Sequence, residues 1–291
     1  MSRPSETAPE IVNLPPITQT SMWTGSDERR TVGKYVRPLD EIAIEPDRYA
    51  STVLSQLDSA LALRSTAPPG MAVPLHRHPV NQYMFVVEGE LEVRFGSRAI
   101  RAKRNELVFI PAGMTHHSTN PTTEREVHLA FVAPNRSHWT EFIAPGEVVD
   151  EDAEPFPEGI SLLRREDQSI RPPGPFPGFS RQVLIDSSTG SDHASFNIDR
   201  TEPGGRGPAM HIHRFDQYYL TLEGSLSIEI AAEEFVLSPG TWIPIPAGVP
   251  HRSWNASEAE EAHLVINCPG HLSSGDHTKA DIAVDFRVIT S

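Results

Sequence analysis

The stretch "HRHPVNQY" places His76 and His78 two residues apart with Gln82 four residues further on, and "HIHRFDQY" repeats the set at His211, His213 and Gln217. Alternate residues of a β-strand point to one face, so each histidine pair can aim two imidazoles at a common point. Imidazole nitrogen and amide oxygen are donors for a divalent transition metal. His116 and His251, each just after a Pro-x-Gly turn, offer a third imidazole from another strand. Gln82 shares the parity of its histidine pair, although Pro79 between them weakens that argument. Cys268 is the only cysteine, which excludes an intrachain disulfide and a thiolate cluster and leaves nitrogen and oxygen to hold any metal.

These candidates recur at one spacing. His76 and His211, Gln82 and Gln217, Gly89 and Gly224, Pro111 and Pro246, His116 and His251, and Asn120 and Asn255 are each 135 residues apart. A fixed period of this kind marks tandem structural units. Within each unit "YMFVVEGELEVRF" and "YYLTLEGSLSIEI" are β-rich runs broken at Gly89 and Gly224, where a hairpin turn is expected. "ELVFIPAGMTHHS" and "TWIPIPAGVPHRS" read as strands ending in Pro-x-Gly turns, and "REVHLAFVAP" and "EEAHLVINCP" close each unit with a further strand. Short strands with frequent turns fit a sandwich or barrel. The expected organisation is an N-terminal arm plus first domain over residues 1–145, an acidic and proline-rich linker over 146–178 with "ISLLRR" as a short ordered element, and a second domain over 179–291.

The two halves resemble the cupin superfamily, whose first motif reads Gly-x5-His-x-His-x3,4-Glu-x6-Gly and whose second reads Gly-x5-Pro-x-Gly-x2-His-x3-Asn. The first runs Gly70, His76, His78, Gln82, Gly89 and again Gly205, His211, His213, Gln217, Gly224. The second runs Asn105, Pro111, Gly113, His116, Asn120 and again Gly240, Pro246, Gly248, His251, Asn255. Asn105 stands where the motif has a turn glycine, a mild change because Asn tolerates the left-handed region. Glutamine replaces the usual glutamate in both halves.

The resemblance implies an all-β chain of two tandem cupin barrels, jelly-roll-like double-stranded β-helices. It also implies one divalent metal in each, held by His76, His78, Gln82 and His116 and by His211, His213, Gln217 and His251. Iron(II) is favoured, and Mn, Co, Ni, Cu or Zn suits the same donors. A glutamine site is neutral, so the full charge of the ion is left to attract an anionic oxygen of substrate. The glutamine cannot accept a proton near neutral pH, which removes the general base that the family's glutamate provides.

Other residues carry weaker signals. His128 and His263 are also 135 apart. Packing is their default role, and orienting substrate is the alternative, so together with Gln82 and Gln217 they are the candidates for catalytic roles. His117 matches Arg252 and falls outside the ligand set. Tyr83 and Tyr218 read as core, while Met84, Phe85, Phe109, Tyr219, Trp242 and Trp254 could line an apolar pocket, although most must be core. Asn255-Ala-Ser matches a glycosylation sequon, but its place inside the second motif argues against use.

Composition narrows the function classes. A formal charge of −14 with only three lysines excludes a nucleic-acid partner and a membrane-surface role. The first residues lack a signal-peptide core and no apolar run is long enough to span a bilayer, so a cytoplasmic location is expected. Three readings remain. The first is a quercetinase-like dioxygenase that uses O2 to cleave a phenolic or otherwise anionic, enolisable small molecule. The second is a redox-neutral isomerase or cyclase acting through an enolate, as in the bacilysin-pathway bicupin isomerase that shares the glutamines. The third is a non-catalytic small-molecule-binding cupin. A homodimer is a further candidate assembly, with the N-terminal arm able to pack on a partner.

Overall fold

The computed structural model of the chain describes residues 10–12, 36–43, 47–135, 140–144, 162–167, 176–269 and 281–283. It divides into two units, residues 1–15 with 42–165 and residues 16–41 with 166–291. Among the described residues, no helix is long and apolar enough to cross a membrane.

The first unit is built on a seven-stranded sheet in the order Glu10–Val12, Ala50–Gln56, Leu61–Ala67, Glu126–Ala133, Asn81–Glu88, Glu106–Ile110 and Leu163–Arg165. A three-stranded sheet of His117–Thr119, Glu90–Phe95 and Arg98–Lys103 accompanies it. Leu163–Arg165, from "ISLLRR", pairs antiparallel with Glu106–Ile110. The second unit has a six-stranded sheet of Phe179–Ile185, Ser195–Thr201, Glu261–Cys268, Asp216–Glu223, Thr241–Ile245 and Arg37–Pro38. Its other sheet has five strands, Glu233–Leu237, Leu226–Ile230, His251–Trp254, His211–His213 and Asp281–Ala283. A piece of the N-terminal arm thus lies in the second unit, where Arg37 pairs with Trp242.

Each unit packs a large open sheet against smaller strands, the jelly-roll solution to burying two apolar faces, and in the first unit His76–Arg77 pairs with Glu141–Phe142 as a separate two-stranded sheet. In the first, Met84, Val86, Val108 and Ile110 of the large sheet form one buried cluster with Leu91, Val93, Phe95 and Ala102 of the small one. The alternation of apolar residues along Glu90–Phe95 supplies its inward face, while Glu92 is held between Arg94 and Arg101.

Gly89 and Gly224 do not close hairpins. Asn81–Glu88 and Glu90–Phe95 belong to different sheets, as do Asp216–Glu223 and Leu226–Ile230, so each glycine is a corner where the chain changes sheet. Both have positive φ, and a Cβ would lie 2.6 Å from the Arg125 carbonyl oxygen at Gly89 and 2.5 Å from that of Glu260 at Gly224. The hairpins come one strand later, at Gly96-Ser97 and at Ala231-Ala232. Asn105 has φ 65 and its counterpart Gly240 has φ 80, so the left-handed turn survives the replacement of glycine.

Candidate metal centres

The side-chain nitrogens of His76, His78 and His116 lie within 4.8 Å of one another, and so do those of His211, His213 and His251. Backbone pairing produces this convergence. His76 and His116 exchange two backbone hydrogen bonds, of 2.9 and 2.8 Å, and His211 stands opposite His251 in the antiparallel register. Residues opposite each other in antiparallel strands present their side chains to one face, and the paired rings stand 4.3 Å apart in both units. The Pro-x-Gly turns close the arrangement, because the N–H of Gly113 donates to the His78 carbonyl and that of Gly248 to the His213 carbonyl.

Five of the six imidazoles are oriented from behind by a backbone carbonyl. Nδ1 of His76 donates to Pro74 at 2.7 Å, His116 to Met114 at 2.9 Å, His211 to Ala209 at 2.9 Å, His213 to Phe215 at 2.7 Å and His251 to Val249 at 2.9 Å. His78, which is partly exposed, has Thr140 Oγ1 at 3.5 Å from its Nδ1. A proton on Nδ1 leaves the Nε2 lone pair directed inward, the tautomer a metal ligand needs. Burial, reinforced by the neighbouring imidazole, pushes His76 and His213 down to about 4 and holds His116 and His251 well below the usual histidine value. These four rings are therefore neutral at physiological pH.

Each glutamine completes its group. Oε1 of Gln82 is 3.0 Å from Nε2 of His116, and Oε1 of Gln217 is 3.1 Å from Nε2 of His251. With Nδ1 carrying the proton, both atoms of each contact are acceptors. In the second unit a further contact supports this orientation of the amide, because Nε2 of Gln217 donates to Oδ1 of Asn267 at 2.9 Å. Asn267 in turn donates to Ser195 Oγ at 3.3 Å. Two lone pairs held this close fit a shared cation, since adjacent ligands about 2.1 Å from one ion stand about 3 Å apart. The donor set therefore suits a divalent transition ion, with three nitrogens and one oxygen in each unit.

Residues 63–133 and 198–267 each match the cupin domain family. The chain carries two tandem cupin domains. Its fold is similar to that of salicylate 1,2-dioxygenase from Pseudaminobacter salicylatoxidans, at 19% identity and TM-score 0.59 over 72% of this chain and 71% of that one. A variant of that enzyme in complex with gentisate aligns with TM-score 0.61 at 17% identity, over 84% of this chain and 80% of the other. AerE from Microcystis aeruginosa aligns with TM-score 0.57 at 18% identity, over 80% of this chain and 96% of AerE. In sequence, 53 residues are 36% identical to the tetracenomycin polyketide synthase protein TcmJ of Streptomyces glaucescens. That match spans 18% of this chain and 36% of TcmJ.

His128 and His263 stand outside both groups. In the first cupin His128 is opposite Val86, and in the second His263 is opposite Thr221, four residues from the positions opposite Gln82 and Gln217. They share the inner face of the large sheet at about 13 Å along the strand from the glutamines. Each is buried on a carboxylate, with Nδ1 of His128 donating to Glu126 at 2.8 Å and Nδ1 of His263 to Glu261 at 2.7 Å. Burial lowers His263, but Glu261 and then Asp199 outweigh it and the net shift is upward. Sequence reasoning overlooked Glu126 and Glu261, although they too are 135 apart.

Tyr83 and Tyr218 are core, stacked on Phe109 and Trp242. His117 and Arg252 pair opposite Arg94 and Glu229, away from their neighbours His116 and His251 in strand parity. Asn255 is fully buried, with its amide donating to the carbonyls of Thr201 and Ala259, and the same staple forms at Asn120. No glycan can reach it.

Proposed function

We propose that His76, His78, His116 and Gln82, and likewise His211, His213, His251 and Gln217, each seat one divalent transition ion, iron(II) being favoured. On this reading the chain is a metal-dependent dioxygenase acting on a small hydroxylated or enolisable molecule. The observation that carries it is the convergence of three imidazole nitrogens within 4.8 Å of one another in each cupin, with a glutamine side chain 3.0 or 3.1 Å from one of them. Bound there, the ion would supply Lewis acidity and, as iron(II), redox chemistry with O2.

The protein's own part follows from the donor types. Carbonyl-anchored imidazoles keep Nε2 free of protons, and burial limits water at the site. Four neutral ligands leave the charge of the ion uncompensated, which favours a substrate that arrives as an oxyanion. Neither Gln82 nor Gln217 can take a proton, so the substrate itself must be acidic, a phenol or an enol. The fold shared with a salicylate dioxygenase supports the O2-dependent reading.

A redox-neutral isomerase or cyclase is the second reading, favoured by the glutamines and by the likeness to a polyketide synthase protein. Oxygen uptake separates the two. The metal-loaded chain is screened with phenols, flavonoids and 2-oxo acids under air and under argon. A dioxygenase consumes one O2 per product and stops under argon, whereas equal conversion in both atmospheres would refute the dioxygenase.

A further inference from the structure

The inner faces of the two large sheets differ although their backbones correspond. Strand register identifies the equivalent positions. Gln217 is opposite Asn267, which is opposite Ser195, and Gln82 is opposite Val132, which is opposite Leu61. One row further from the glutamine, Tyr219, Val265 and Asn197 stand where the first cupin has Met84, Ala130 and Leu63. Residues opposite in register share a face, so all of these lie on the side to which the glutamines point. In the first cupin Leu61 and Val132 pack in one apolar cluster with Val53 and Val80, with Leu63 against it.

The polar set in the second cupin has no counterpart in the first, where valine and leucine fill the same positions. Asn267 and Ser195 hold Gln217, and Asn197, a buried residue 5% exposed, stands one row away with its amide on the same face. Leucine occupies the equivalent position in the first cupin, so the fold itself does not require asparagine there. Tyr219 lies in the same row, with Val265 between the two, and its ring is 4.8 Å from that of His263. No cation lies in these two rows, so they can read only neutral donors and acceptors.

We propose that the second cupin is the substrate-reading half, in which Asn197 and Tyr219 hydrogen-bond an oxygen substituent at the end of the substrate remote from the metal. The first cupin seats an ion above an apolar surface and does not read that oxygen. This rests on the metal seats proposed above. The ligand class is a small molecule with one oxyanion for the ion and a second oxygen function about one strand row, roughly 7 Å, further in.

The test uses the full-length chain loaded with iron(II) under argon and titrated with 4-nitrocatechol, whose nitro oxygens lie opposite its metal-binding hydroxyls. Plain catechol, lacking that remote oxygen, is the comparison. Asn197→Leu and Tyr219→Met install the residues of the first cupin. Each is expected to weaken 4-nitrocatechol about tenfold, to leave catechol within about threefold and to keep two ions per chain, the last confirming an intact fold. Unchanged 4-nitrocatechol affinity in both variants would overturn the proposal. So would loss of probe binding on His76→Ala with His78→Ala but not on His211→Ala with His213→Ala, or no probe binding by a chain holding two ions. A chain that takes up no iron refutes the metal seats instead, and shows it before any probe is added.

Discussion

Asn267 decides which way the Gln217 amide faces, and replacing it by valine, the residue at the equivalent position in the first cupin, should weaken the second metal seat. In the native chain Nε2 of Gln217 donates to Asn267 at 2.9 Å, which leaves Oε1 toward His251 Nε2 at 3.1 Å. Asn267→Val keeps the volume roughly constant and removes that acceptor. The amide then gains by turning over, so that its N–H donates to the His251 lone pair. An incoming ion must displace this new bond, at about 1–2 kcal/mol, which corresponds to roughly five- to thirtyfold in Kd. The assay is competition against a chelator of known affinity, carried out with His76→Ala and His78→Ala present so that only the second seat reports. The native first seat, opposite Val132, should likewise be the weaker of the two. An unchanged Kd in Asn267→Val would refute the claim that Gln217 is a ligand held by Asn267.

The other expectations are shorter. Because the folded pKa of His76 and His213 is about 4 and those of His116 and His251 are well below the unfolded value near 6.5, the unfolded chain binds more protons between these limits. The Tm of the chelated chain should therefore fall as pH drops from about 6.5 toward 4, and a flat profile would contradict the assigned protonation. His263, raised by Glu261, has the opposite sign: its contribution is full below about 6.5 and is lost as pH rises through its folded pKa. Ala231 and Ala232 both have positive φ at a two-residue hairpin, so Ala232→Gly should stabilise by about 1 kcal/mol in urea unfolding, and a loss of stability would contradict that turn.

The metal groups were legible because three constraints coincide in them: the two-residue spacing of His76 and His78, the Pro-x-Gly turn before His116, and the recurrence of both after 135 residues. The sheet corners at Gly89 and Gly224 were misread as hairpins because a glycine marks a sharp bend without saying which strand the chain meets next. The strand at Arg37–Pro38 has no periodicity to announce it, and its pairing with Thr241–Ile245 is a tertiary fact. Asn197, Asn267 and Ser195 escaped notice for a different reason. They lie in strands buried on both faces, where alternation fades and a polar residue looks like any other exception. Comparing the halves row by row, with asparagine against valine and leucine, is the signal that finds them.

Elemental analysis of the chain purified without chelator tests the whole account at its root. Two transition ions per chain are predicted, falling to one when His76 and His78, or His211 and His213, are replaced by alanine. A folded native chain that binds none when offered iron(II), or a count that ignores these replacements, would contradict it.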